Sequence, residues 1–132
     1  MKTLDYYLSL PYRMEIIPDM EEGGYTANFP ELPGCLTCAE TIEKLVENAS
    51  DAKKVWLTAA LEDGIEIAEP QQESALISYK GCVGSIEYST VDGVYFGKIQ
   101  DIPSLISYEG ESLPDLVQDF IGAIDDYLVV QP

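Results

Sequence analysis

One sequence unit occurs twice in this chain, and the repetition restricts its fold more than any single residue does. Leu32-Pro33-Gly34-Cys35-Leu36-Thr37, followed by Thr41-Ile42-Glu43-Lys44-Leu45-Val46, is answered further on. The second copy reads Ile102-Pro103-Ser104-Leu105-Ile106-Ser107 and then Ser112-Leu113-Pro114-Asp115-Leu116-Val117. The offset is 70 before the helix and 71 within it, because one extra residue lies between Ser107 and Ser112. Self-similarity at a fixed period marks a duplicated supersecondary unit.

Each copy carries the same local grammar. Tyr12-Arg13-Met14-Glu15-Ile16-Ile17 alternates as a strand with Tyr12, Met14 and Ile16 on one face. Asp19 to Gly24 supplies turn chemistry, Tyr25 to Phe29 returns, and Cys35 to Cys38 reads as a third strand. Thr41 is a helix N-cap ahead of Ile42, Leu45, Val46, Ala49, Ala52, Trp56 and Ala59 at helical spacing, with Gly64 as the stop. Ile65-Glu66-Ile67 reads as a further short strand, and Met1 to Leu10 as either an extended lead-in or a helical turn. In the second copy, Cys82 to Ser89 and Val94 to Ile99 flank Thr90-Val91-Asp92-Gly93, a hairpin signal, and Leu105 to Tyr108 is the third strand. Ser112 caps a helix with the stripe Leu113, Leu116, Val117, Phe120, Ile121, Ile124 and Leu128. The expected fold is therefore α+β: two tandem β-β-β-α units over 1–69 and 80–132, joined by a linker at 70–79. About sixty residues bury only a marginal core. The units are therefore expected to pack as a pseudo-symmetric pair, through helices or through sheet edges.

Charge excludes some partners. Seven basic against 24 acidic residues leave a net charge of -17. Both halves share the excess, so an acidic tail does not explain it. A nucleic-acid binder needs clustered cations to displace counterions from phosphates, and Arg13 is the only arginine. No direct nucleic-acid binding is expected; a basic protein is the partner such a surface favours. High negative charge also serves solubility alone. The N-terminus lacks a signal-peptide pattern and no apolar run is long enough to span a bilayer, so a cytoplasmic location without membrane attachment is expected.

The chain has no histidine, which removes the commonest general base and metal ligand. Glu15 and Glu87, the strand carboxylates, fall in separate copies, so neither copy supplies the convergent pair a two-metal site needs. Cys35-Leu36-Thr37-Cys38 has C-x-x-C spacing, but residues three apart on a strand point to opposite faces, and small strand residues are the simpler reading. No catalysis, metal or cofactor is expected.

Several runs together resemble a known family. Tyr6-Tyr7-Leu8-Ser9-Leu10-Pro11-Tyr12, Glu15-Ile16-Ile17-Pro18, Gly23-Gly24-Tyr25 and Phe29-Pro30-Glu31-Leu32-Pro33-Gly34-Cys35 resemble the N-terminal domain of HicB antitoxins. Tyr88 to Gly93, Ile106 to Ser112 and Asp125-Asp126-Tyr127-Leu128 resemble a variant HicB domain. The resemblance implies a degenerate, partial RNase H-like β-β-β-α fold and an antitoxin of a type II toxin–antitoxin module. Such an antitoxin neutralises a small basic HicA-type mRNA interferase and is not itself a nuclease. HicB antitoxins commonly carry a C-terminal DNA-binding segment, and the end of this chain does not resemble one, so operator binding is not expected of it.

Candidate partner contacts are acids and aromatics beside predicted turns and strand edges: Asp19, Glu21, Glu22, Tyr25 and Glu31 in the first copy, and Asp92, Tyr95, Asp101, Glu109 and Glu111 in the second. A basic HicA-like toxin is the expected partner, with self-association as a further one. The competing reading is an orphan HicB-like interaction or scaffold domain without a toxin.

Overall fold

A computed structural model describes residues 2–100, 102 and 105–130. Among the described residues, seven strands form one mixed sheet, and three helices accompany it. In chain order the elements are α1 (Leu4–Leu8), β1 (Met14–Pro18), β2 (Tyr25–Asn28), β3 (Leu36–Ala39), α2 (Ile42–Asp63), β4 (Ala75–Tyr79), β5 (Cys82–Ser89), β6 (Val94–Lys98), β7 (Ser107–Gly110) and α3 (Leu113–Val130). Across the sheet the order is β3-β2-β1-β4-β5-β6-β7. Every neighbouring pair is antiparallel except β1 and β4, which run parallel at the centre.

Strand alternation follows the sequence pattern. Met14 and Ile16 are buried while Ile17 faces out, and Ile16 sits opposite buried Ala27. Both long helices lie on this buried face: α2 packs on β2 and β3, α3 on β6 and β7, and the two touch each other. Thr41 caps α2 as expected, its Oγ1 accepting the Lys44 N–H at 3.2 Å. The Ser112 Oγ does the same for the Asp115 N–H. Leu45, Val46 and Ala49 are buried, then the stripe passes to Leu57 and Ala60 while Ala59 is exposed. A 22-residue helix drifts relative to a fixed spacing, and the buried side drifts with it.

Four local expectations need correction. First, Ala75–Tyr79 forms β4 inside the stretch read as a linker, because Ile77, Ser78 and Tyr79 are a buried run. It turns into β5 through Lys80 and Gly81, whose φ angles of 50° and 81° suit a two-residue type I′ turn. The second run is thus β-β-β-β-α. Second, Ile65-Glu66-Ile67 is not a strand. The Ile65 N–H is spent closing the end of α2 on the Ala60 carbonyl at 2.9 Å. Third, β7 starts at Ser107, leaving Leu105 exposed, and fourth, β3 is shifted to Leu36–Ala39. The N-terminal lead-in is helical, with Thr3 capping α1.

Beneath α3 the core is organised around Tyr108. Its ring packs edge-on against Phe120, centroids 4.9 Å apart, and its hydroxyl donates to the Ser85 carbonyl at 2.7 Å. Glycine at 84 and 97 makes room for that ring: a Cβ at Gly84 would sit 2.1 Å from the Tyr108 Oη. Tyr108 thereby ties β5, β7 and α3 together beside a surface cleft.

Candidate functional site

The β5–β6 turn, β6, β7 and α3 enclose a cleft of about 530 Å³. Its acids are Asp92, Glu109 and Asp119, and Phe96 supplies an apolar wall. Asp92 is held in the turn by its own N–H, which donates to the Ser89 Oγ at 3.1 Å. Asp119 reaches from α3 to the free edge of β7, accepting the Glu109 N–H on Oδ2 at 2.9 Å. Phe96 and Glu109 are cross-strand partners, so carboxylate and ring lie side by side. Chemically, this arrangement suits a cationic side chain with an apolar stem.

A smaller cleft of about 200 Å³ forms at the β1–β2 turn, lined by Asp19, Glu22, Tyr25, Thr26, Cys38 and Glu40. Asp19 organises it: Oδ1 accepts the N–H groups of Glu21 and Glu22 at 3.0 and 3.1 Å.

Of the residues singled out in the sequence, Asp19, Glu22 and Tyr25 gather in the smaller cleft, and Asp92 and Glu109 in the larger. Glu21 and Glu111 are exposed beside them without lining either. Glu31 is tied into the fold, its Oε1 accepting the Arg13 N–H at 2.7 Å. Tyr95 faces the helices and packs on Tyr88 at 4.8 Å, while its neighbour Phe96 lines the cleft. Consecutive strand residues face opposite ways, and two adjacent aromatics gave no signal of which pointed out. Asp101 lies outside the described residues. Asp119 was missed because it sits among acids on a helix. Its counterpart Asn48, 71 residues earlier, was the available clue. Glu15 and Glu87 are on β1 and β5 with β4 between them. Among the described residues, no group of three or more Cys, Asp or Glu side chains is placed to hold a metal ion. No described helix is long and apolar enough to cross a membrane.

Burial pushes the Tyr108 hydroxyl well above its ordinary value and the Tyr12 hydroxyl, which donates to the Ala68 carbonyl at 2.7 Å, up to about 12. Both groups bind their protons more tightly folded than unfolded. Their contribution to stability is complete below about pH 10 and is lost as pH rises through the folded values. The urea midpoint is therefore expected to fall between about pH 10 and 12, and to fall less steeply in Tyr108→Phe. A midpoint that is flat across that window contradicts these assignments.

Residues 12–92 match the family model described as HicB_like antitoxin of bacterial toxin-antitoxin system. That is more than half of the chain, which belongs to this antitoxin family. The match runs from β1 through the β5–β6 turn, so it takes in the smaller cleft and Asp92 but not Glu109 or Asp119. The chain is also similar to UPF0150 protein ssl0259 of Synechocystis sp., with 34% identity over 62 residues, covering 47% of this chain and 85% of the relative. No solved structure matches at a significant level.

Proposed function

We propose that this chain is a non-catalytic cytoplasmic antitoxin that neutralises a small basic HicA-type mRNA interferase by seating its cationic side chains in the two acidic clefts. Membership of the antitoxin family carries the reading. A net charge of -17 supports it, since complementary charge accelerates encounter with a basic protein and opposes its RNA substrate. Contacts are proposed for Asp19, Glu22 and Tyr25 and for Asp92, Glu109 and Asp119. Glu21 and Glu111 extend the negative field, and Glu31 and Tyr95 serve the fold.

The two clefts fit a tandem origin, with partial RNase H-like units at 1–69 and 80–132 and a connection at 70–79 that contributes β4. At an offset of 70, Asp19, Glu22 and Thr26 of one cleft correspond to Ser89, Asp92 and Phe96 of the other, and the cross-strand partners of Thr26 and Phe96 are Cys38 and Glu109. Each long helix also reaches the outer strand of its half from the same place. Asn48 Nδ2 donates to the Cys38 carbonyl at 3.2 Å, and Asp119 accepts from the Glu109 N–H, both pairs offset by 71. The Synechocystis relative, covered for 85% of its length by a 62-residue match, is close to the size of one such unit.

Charge reversal tests the clefts. Asp92→Lys with Glu109→Lys is expected to weaken binding of the basic partner about tenfold or more, mainly through association rate, and to flatten its salt dependence. Asp19→Lys with Glu22→Lys is expected to act in the same direction. Surface plasmon resonance at two salt concentrations reads both. Affinities unchanged by either pair would remove the clefts from the interface.

A further inference from the structure

A separate cavity of about 210 Å³ lies where the two halves meet between helices and sheet. Apolar side chains line most of it, including Met14, Phe29, Val46 and Ile86. One cation belongs to it: Lys53 on α2, whose Nζ lies 5.6 Å from the centroid of the Phe29 ring. Lys2, Lys44 and Lys80 pair with Glu69, Glu47 and Asp125. Lys53, Lys54 and Lys98 have no carboxylate within ion-pair distance among the described residues, and of these three Lys53 alone is half-buried.

The repeat offset of 71 explains the space. Leu45 and Val46 correspond to Leu116 and Val117, and all four are buried. One turn later α3 fills the core with Phe120, Ile121 and Ile124, also buried. At the corresponding places α2 carries Ala49, Ser50 and Lys53, and all three line the cavity. The first half thus holds small and cationic groups where the second is packed solid.

We propose that this cavity is a binding site for a small aromatic monocarboxylate, with the ring among the apolar side chains and the carboxylate on the Lys53 ammonium. An apolar cavity of about 150 Å³ accepts benzene, so the observed volume has room for a ring bearing one carboxyl group. A carboxylate replaces the ion partner that Lys53 lacks and forms a charge-assisted hydrogen bond. Burial holds the Lys53 pKa below its ordinary value, and an anion beside it would favour the charged form.

The test uses the full chain at about 0.15 M salt, where repulsion from distant acids is screened. Benzoate, benzyl alcohol and benzylamine are compared by calorimetric titration and by thermal unfolding. Benzoate is expected to raise the unfolding midpoint and to bind about tenfold or more tighter than the alcohol, with benzylamine weakest. Lys53→Met removes the preference for benzoate while the alcohol still binds. Ala49→Phe, which writes the α3 residue into α2, abolishes both. No benzoate binding, equal binding of benzoate and the alcohol, or a preference surviving Lys53→Met overturns the proposal. The unsubstituted chain decides the first two points without any variant.

Discussion

Replacing Gly97 with alanine is expected to lower the stability of the fold by about 3 kcal/mol, the upper part of the usual range for overpacking. The new methyl would stand 1.9 Å from the Ser85 carbonyl oxygen and 2.9 Å from the Tyr108 ring. The first obstacle is backbone and cannot swing aside, and the same oxygen accepts the Tyr108 hydroxyl. Relief requires β5 and β6 to part or Tyr108 to leave its site, and either opens the larger acidic cleft. Gly122 is the control: a methyl there meets nothing within 4 Å, and on an exposed helical position alanine is worth up to about 1 kcal/mol over glycine. Urea unfolding should therefore move in opposite directions for the two substitutions. A Gly97→Ala protein as stable as its parent would mean that β5, β6 and Tyr108 are not packed as described.

Phe120→Ala is expected to cost about 4 kcal/mol, because it deletes a fully buried ring and strands Tyr108 beside the void. Against a total stability of about 5–15 kcal/mol, that loss is a large fraction of what holds the chain folded. In the proposed tandem arrangement the position corresponding to Phe120 is Ala49, which is also buried. The substitution thus asks whether the two halves share a backbone plan but not a packing solution. Thermal unfolding followed by near-UV circular dichroism reads the outcome through the tyrosines. A loss under about 1 kcal/mol would show that Phe120 is not a core residue in solution.

Much of the architecture was legible because local chemistry and periodicity agreed. Thr41 and Ser112 announce helices, Asp92-Gly93 announces a hairpin, and the stripes from Ile42 and Leu113 name the buried sides except at their ends, where Ala59 and Leu128 are exposed. The central join was not legible. β1 and β4 are distant in sequence and run parallel, so no turn between them sets their pairing. The turn after β4 uses Lys80 at positive φ, a residue that gives no hairpin signal. Polar residues before Ala75 also made the stretch read as a connection. The site was half visible for a related reason. Acids in turns, such as Asp19 and Asp92, mark surface by their position alone. Asp119 becomes notable only when the β7 edge comes within reach of α3. Cavities at the join, including the one beside Lys53, depend on residues from both halves and have no local signature.

The acidic clefts are proposed to hold a cationic toxin and keep it from RNA. That role is tested most directly by cleavage of a labelled RNA by a HicA-type mRNA interferase, with this chain titrated in. Cleavage is expected to fall in proportion to added chain until the partner is saturated, and to return when Asp92 and Glu109 are both changed to lysine. Cleavage that continues at its full rate in excess chain would contradict the account.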